Sequence, residues 1–223
     1  IGVSRIDSSV QDSYATGNVN GSNGVGGLVG MSAMRSSIGN SYATGAVIGS
    51  GFEVGGLIGS NATDSSIINS YATGNAEGDF SIGGLVGVNE GDVTNSFSTG
   101  VATAFAGDDY AGGLIGASSS GALDNNWWYN DTNTQGVGSG EPGSGKVDKA
   151  VNAEAFFNPG HAVYDIGGAN EWDIFGGAAT PIWDIYSGTG LPHLHFESYG
   201  TPDNVWNGFS STAWETGTNW SQG

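Results

Sequence analysis

His193 and His195 stand two residues apart in Pro-His-Leu-His, and residues so spaced on a β-strand share a face, so their imidazoles could ligate zinc or copper together. A third ligand would have to come from elsewhere, such as His161 or an aspartate, and no HExxH accompanies the pair. The simpler role of the two histidines is to fill a final strand. Carboxylates in loops suit calcium better, and Glu77 with Asp79, Glu90 with Asp92, and Asp108 with Asp109 are such pairs. They recur at no fixed position and match neither the EF-hand nor the glycine-rich nonapeptide pattern, so a solvated acidic surface is the default expectation. No motif requires a cofactor, and calcium is the one metal the loop carboxylates suggest. Trp127, Trp128, Trp172 and Trp183 could stack on sugar rings if exposed, although tryptophans gathered in one region more often pack a core.

Catalysis finds no constellation. A general acid or base has to be held against a second carboxylate, a cation or a metal, and only four Lys and Arg serve 22 irregularly placed Asp and Glu. The glycine blocks lack the Lys-Ser/Thr ending and following helix of a phosphate loop. The sequence therefore predicts a non-enzymatic protein. A formal net charge of −18 on 223 residues disfavours nucleic acid and anionic membrane surfaces. No run approaches the roughly 18 apolar residues of a membrane span, and the opening IGVSRIDSSV has neither the basic start nor the apolar stretch of a signal peptide. The absence of an initiating Met suits a mature or excised fragment. With no Cys, disulfides and thiolate chemistry are excluded, which leaves the compartment open.

What would have to position any site is a repeat. GGLVG at Gly26 to Gly30 returns as GGLIG at Gly55, GGLVG at Gly83 and GGLIG at Gly112, at intervals of 29, 28 and 29 residues. Between these blocks SYATG recurs at Ser13, Ser41 and Ser70, then as SFSTG at Ser96. Its aromatic residues Tyr14, Tyr42, Tyr71 and Phe97 are 28, 29 and 26 apart, so small insertions fall between blocks and are compensated elsewhere. The apolar pieces in each unit are too short for amphipathic helices and are bounded by glycine, so strands fit. A unit of this length could trace one coil with three short sides, turned by the positive φ angles and close approaches that glycine permits. Stacked coils would form ladders of Leu28, Leu57, Leu85 and Leu114 and of the aromatic residues. The fold predicted is all-β, a right-handed parallel β-solenoid, or β-helix, of four to five coils with an aromatic C-terminal cap.

Leu and Val or Ile in GGL[VI]G cannot both point inward from one flat strand, so the chain either bends there or exposes one, with Leu the expected inner residue. Asn40, Asn69 and Asn95 precede the Ser-aromatic pair, where stacked amides could bond along the axis or each could make its own local turn.

The paired signatures GGL[VI]G and NSYATG resemble the GLUG repeat of bacterial secreted and surface proteins, including large adhesins and some immunoglobulin A peptidases. The resemblance covers residues 13 to 116. It implies an extracellular or cell-surface segment of a longer bacterial protein, whose neighbouring domains carry the activity or adhesion. Relatives end their repeats with a Trp-rich segment, a glycine-rich loop and a WDI…WDI ending, matched here by Trp127-Trp128, Gly136 to Gly145, Trp172 to Ile174 and Trp183 to Ile185. Residues 201 to 223, with Trp206, Trp214 and Trp220, resemble the start of a further β module. The chain thus divides into a repeat solenoid at 1–125, a C-terminal coil and cap at 126–200 with one short helix expected over Lys149 to Phe157, and the piece 201–223. The expected function is a non-catalytic stalk, spacer or display domain. The alternatives are a module that binds a host or environmental glycan or protein, and a filament subunit that self-associates through its open first coil.

Overall fold

In the computed structural model the described residues are 1–105, 111–140, 144–150, 172, 182–184, 191–194, 205–206 and 220–221. The second coil shows the path. Val29–Ser32 lies in sheet 1, Ser37–Gly39 and Tyr42–Ala43 lie in sheet 2 on either side of a bend, Val47–Gly49 lies in sheet 3, and Phe52–Gly55 lies in sheet 4. The chain then re-enters sheet 1 at Ile58–Asn61, directly beside its start. Each strand pairs in parallel with its counterparts one coil away, so the fold is the parallel β-solenoid that the repeat predicts.

Four complete coils are followed by a shortened fifth, in which Ile115–Ser118 extends sheet 1 and Ala122–Trp128 continues as one strand across the sheet 2 bend, with an irregularity at Asn125. Val137–Gly140 then adds a sixth strand to sheet 1, and Ser144–Lys149 pairs with Ala122–Trp128. Regular stacking therefore runs past residue 125 into the expected C-terminal coil. Two short antiparallel pairs complete the described strands, Trp183–Asp184 with His193–Leu194 and Val205–Trp206 with Trp220–Ser221.

Two expectations about local structure are corrected. A coil has five strands in four sheets, not three sides, because the asparagine bend divides one side and further corners divide the rest. Lys149, expected to open a helix, ends a β-strand, and 151–157 lie outside the described residues.

Corners are made by a second set of residues than expected. Left-handed φ angles fall on Asp7, Arg35 and Asp64 between sheets 1 and 2, on Asp12, Asn40, Asn69, Asn95 and Asn125 at the sheet 2 bend, and on Gly24, Glu53 and Ser81 at sheet 4. Short polar side chains tolerate this conformation by bonding locally. The glycines of GGL[VI]G serve close approach instead. A Cβ on Gly56 would overlap the Gly84 carbonyl of the next coil, and one on Gly87 would lie 2.6 Å from Val54 N and the Glu53 carbonyl carbon of sheet 4.

Two turns absorb changes in repeat length: the turn between sheets 3 and 4, three residues longer in the fourth coil because Gly78 pairs with Ala104 and Ile82 with Ala111, and the corner between sheets 1 and 2. Asn61 pairs with Asn89 and Ser66 with Asp92, so the corner is two residues shorter in the fourth coil. Gly91 fits that tight corner, where a Cβ would lie 2.7 Å from the Asn61 amide nitrogen.

Leu57, Leu85 and Leu114 are fully buried, and so are Val29, Ile58, Val86 and Ile115 beside them in the same core. Leu sits at the corner and Val or Ile begins the next strand, so a bend turns both inward. Ile38, Ile67, Val93 and Leu123 face them from sheet 2. A smaller second core, built on Val25, Val47, Val54, Ala76 and Ile82, lies between sheets 3 and 4. Many small residues in two narrow cores explain how a chain with 37% hydrophobic content folds.

Candidate functional site

Identical residues one coil apart create columns, and three of them meet at the sheet 2 bend. In the asparagine column, Asn40 donates its amide to Asp12 Oδ1 at 3.1 Å, Asn69 donates to Asn40 Oδ1 at 3.4 Å, and Asn125 donates to Asn95 Oδ1 at 3.1 Å. The amides thus stack along the axis while each residue also makes its own left-handed turn, so the two alternatives read from the sequence are both present. One residue on, the serine column carries the sheet ladder across the bend. The Ser41 hydroxyl accepts the Ser13 N–H at 3.2 Å and donates to the Gly39 carbonyl at 2.7 Å, and Ser70 and Ser96 repeat the arrangement. In the last coil Asn126 Oδ1 takes this place, accepting the Ser96 N–H at 3.1 Å. Asn69→Ala should lower stability by about 1–2 kcal/mol in urea unfolding, through the lost amide bonds and the left-handed backbone. Asn69→Gly, which eases the backbone, should lose less.

The third column is aromatic and faces outward. Tyr14, Tyr42, Tyr71 and Phe97 stack with ring centroids 4.9–5.1 Å apart and planes within 6°. Parallel coils force this spacing, which is tighter than most aromatic pairs in proteins. Among the described residues a cover lies over its Phe97 end. Trp172 and Trp183 stack on each other at 4.8 Å and lie 5.8–6.1 Å from Phe97, with Leu194 and Ala150 completing the cluster. Phe97 and Tyr71 are buried beneath it, whereas Tyr42 is half-buried and Tyr14 exposed.

The four tryptophans singled out from the sequence therefore occupy three settings. Trp172 and Trp183 are fully buried on the side of the solenoid. Trp128 points into the main core, in register with Ser98 and beyond it Ala72 and Ala43. Trp127 faces outward in register with Phe97, half-buried, its indole N–H bonded to Asn125 Oδ1 at 3.0 Å. The aromatic cap is accordingly a plug inside the coil and a cover along its flank.

The acidic candidates are dispersed. Exposed Glu90 accepts the Thr63 hydroxyl at 2.9 Å, and exposed Asp92 accepts the Ala122 N–H at 2.7 Å, so both carboxylates tie neighbouring coils together. Among the described residues no three His, Asp or Glu side chains gather where a metal could sit. Asp108, Asp109, His161 and His195 lie outside the described residues, and His193 is half-buried opposite Asp184 in a two-stranded pair. Arg35 makes a bidentate pair with Asp7 across coils at 2.7 and 3.0 Å, and this hydrogen-bonded guanidinium holds the Asp7 carboxyl below its ordinary range. Any stabilisation from the pair is present above the usual carboxylate pKa and is lost as pH falls through the lowered one, and full exposure keeps it small.

Sequence reasoning missed the residues that close sheet 3. That sheet ends at Ala102–Ala104, where Asn133 offers its side-chain amide as a strand would, accepting the Ala102 N–H at 3.0 Å and donating to the Ala102 carbonyl at 2.8 Å. Asn130 holds the loop by donating to the Gly100 carbonyl and accepting the Thr132 and Asn133 N–H groups. Their signal was two asparagines at the point where the repeat loses its glycine-bounded block.

A groove of about 330 Å³ at the open first coil is lined by Ile1, Val19, Asn23, Val25 and glycines, with no ionisable side chain. Its chemistry is that of a backbone edge. Searches against curated proteins and against solved structures found no match. Residues 50–77 and 78–103, from the last strand of the second coil to sheet 3 of the fourth, match the family model described as the GLUG motif.

Proposed function

We propose that this chain is a non-catalytic spacer or display segment of an extracellular, adhesin-like bacterial protein, setting the distance and orientation of the domains joined to it. The observation that carries the reading is the continuity of the columns. Backbone ladders, serine bridges and aromatic stacks run from coil to coil without interruption over four coils, with amide bonds joining the first three coils and the fourth to the fifth, which gives a one-dimensional, rigid body. The acidic and polar exterior keeps such a rod apart from its neighbours. The match to the GLUG motif supports the surface-protein context.

A second reading, adhesion to a glycan or protein, draws on the exposed Tyr14. One experiment separates the two. Cysteines introduced at the exposed Ser22 and Asp131 of this Cys-free chain allow a donor–acceptor dye pair to report the distance along the solenoid. The spacer reading expects one narrow distance distribution that calcium, chelator and a panel of glycans leave unchanged. A broad or multiple distribution would sink it, and saturable glycan binding abolished by Tyr14→Ala would establish adhesion in its place.

A further inference from the structure

We infer that the apolar flank of the first two coils is a self-association surface through which two copies of this chain pair. Val3 and Met31 are register partners on the outer face of sheet 1, their neighbours Ser4 and Ser32 pointing inward. A backbone bond from the Asp7 N–H to the Met34 carbonyl sets Ile6 and Met34 side by side at the adjoining corner. These four side chains are 41–60% exposed, a concentration of bare apolar surface that a polar solenoid does not need for folding. Further along, the sheet 1 column continues as Ser60, Val88 and Ala117, half-buried or smaller, and Thr63 stands in the corner where Met34 stood. The patch is thus confined to one end of the flank.

Charge selects its occupant. Residues 1–36 carry two arginines and two aspartates, while the remainder carries two lysines and 20 acidic side chains, so the whole net charge of −18 lies beyond the patch. Two such molecules repel everywhere except where this neutral flank meets its own copy. Two-fold pairing makes the patch complementary to itself, with the flexible methionines adapting to the opposing branched side chains. Arg5 and the Asp7–Arg35 pair at the rim supply both signs of charge for matching across the axis. An anionic lipid surface, by contrast, would face the repulsion of the acidic body.

Sedimentation velocity on the full chain tests the pairing between about 5 and about 500 µM. The expected result is a monomer–dimer shift that strengthens on going from about 0.15 M to about 1 M salt, because screening removes the repulsion and leaves apolar contact intact. Met31→Glu with Met34→Glu should weaken dimerisation at least about tenfold, with circular dichroism and thermal midpoint unchanged. Should that variant fold poorly, Ile6→Gln with Met34→Gln serves the same purpose on the corner, where both side chains are already exposed. A wild-type chain that stays monomeric at the highest concentration in both salts overturns the inference. So does a dimer that survives the substitutions, since the copies then meet elsewhere.

Discussion

Gly56→Ala should destabilise the protein by about 3 kcal/mol or more, enough to leave a solenoid of this size largely unfolded under mild denaturant. One methyl group would overlap the Gly84 carbonyl oxygen and sit 2.9 Å from the Ala72 Cβ. Neither neighbour can retreat. The Gly56 N–H bonds the Gly83 carbonyl at 3.1 Å and the Leu57 N–H bonds the Leu85 carbonyl at 2.9 Å, so moving one coil away breaks the ladder on both sides. Gly17→Ala is the internal control, because the same substitution in the first coil meets nothing within 4 Å and should change stability by no more than about 0.5 kcal/mol. Urea unfolding of the two variants side by side decides the matter. Equal, small losses would show that the coils are not held at the separation described.

Trp128→Ala should cost about 3–5 kcal/mol, the range for truncating a buried tryptophan. Trp128 stands where earlier coils place Ser98, Ala72 and Ala43, and its ring lies so close over Gly113 that a Cβ there would collide with it. Alanine would restore the small residue of the other coils, yet among the described residues no further complete coil follows to fill the space. The end of the core lined by Leu114 and Leu123 would then open. Trp127→Ala, one residue earlier and facing out, should be milder because its side chain is only half-buried. Should the ordering of the two variants be reversed in thermal melts, the assignment of an inner plug and an outer column would fail.

The register was legible because each block carries residues that only one place in the coil accepts. Gly56 accepts no side chain, Leu57 needs the corner, and the Ser70 hydroxyl needs a backbone N–H above it, so aligning the blocks aligned the strands. The left-handed corners at Arg35, Glu53 and Ser81 were not legible, since Arg, Glu and Ser are not the residue types that favour this conformation and it is imposed by strands on either side. The inward turn of both Leu and Val or Ile required knowing that a bend separates them. Trp172 and Trp183 were recognised as part of a cap, but their seat on the flank depends on aromatic rings contributed by the third and fourth coils, about 75 to 110 residues earlier. Asn133 was invisible for a related reason, because an amide replaces a strand only where a strand is missing.

That substitution of an amide for a strand has an evolutionary consequence. Asn130 and Asn133 address the fourth coil's edge, through Gly100 and Ala102. Gene duplication of a whole 28- or 29-residue unit upstream would leave this terminator with the same edge to close, so copy number can drift while the end remains sealed. The protein can therefore be graduated like a ruler, in increments of one strand spacing, about 4.8 Å each.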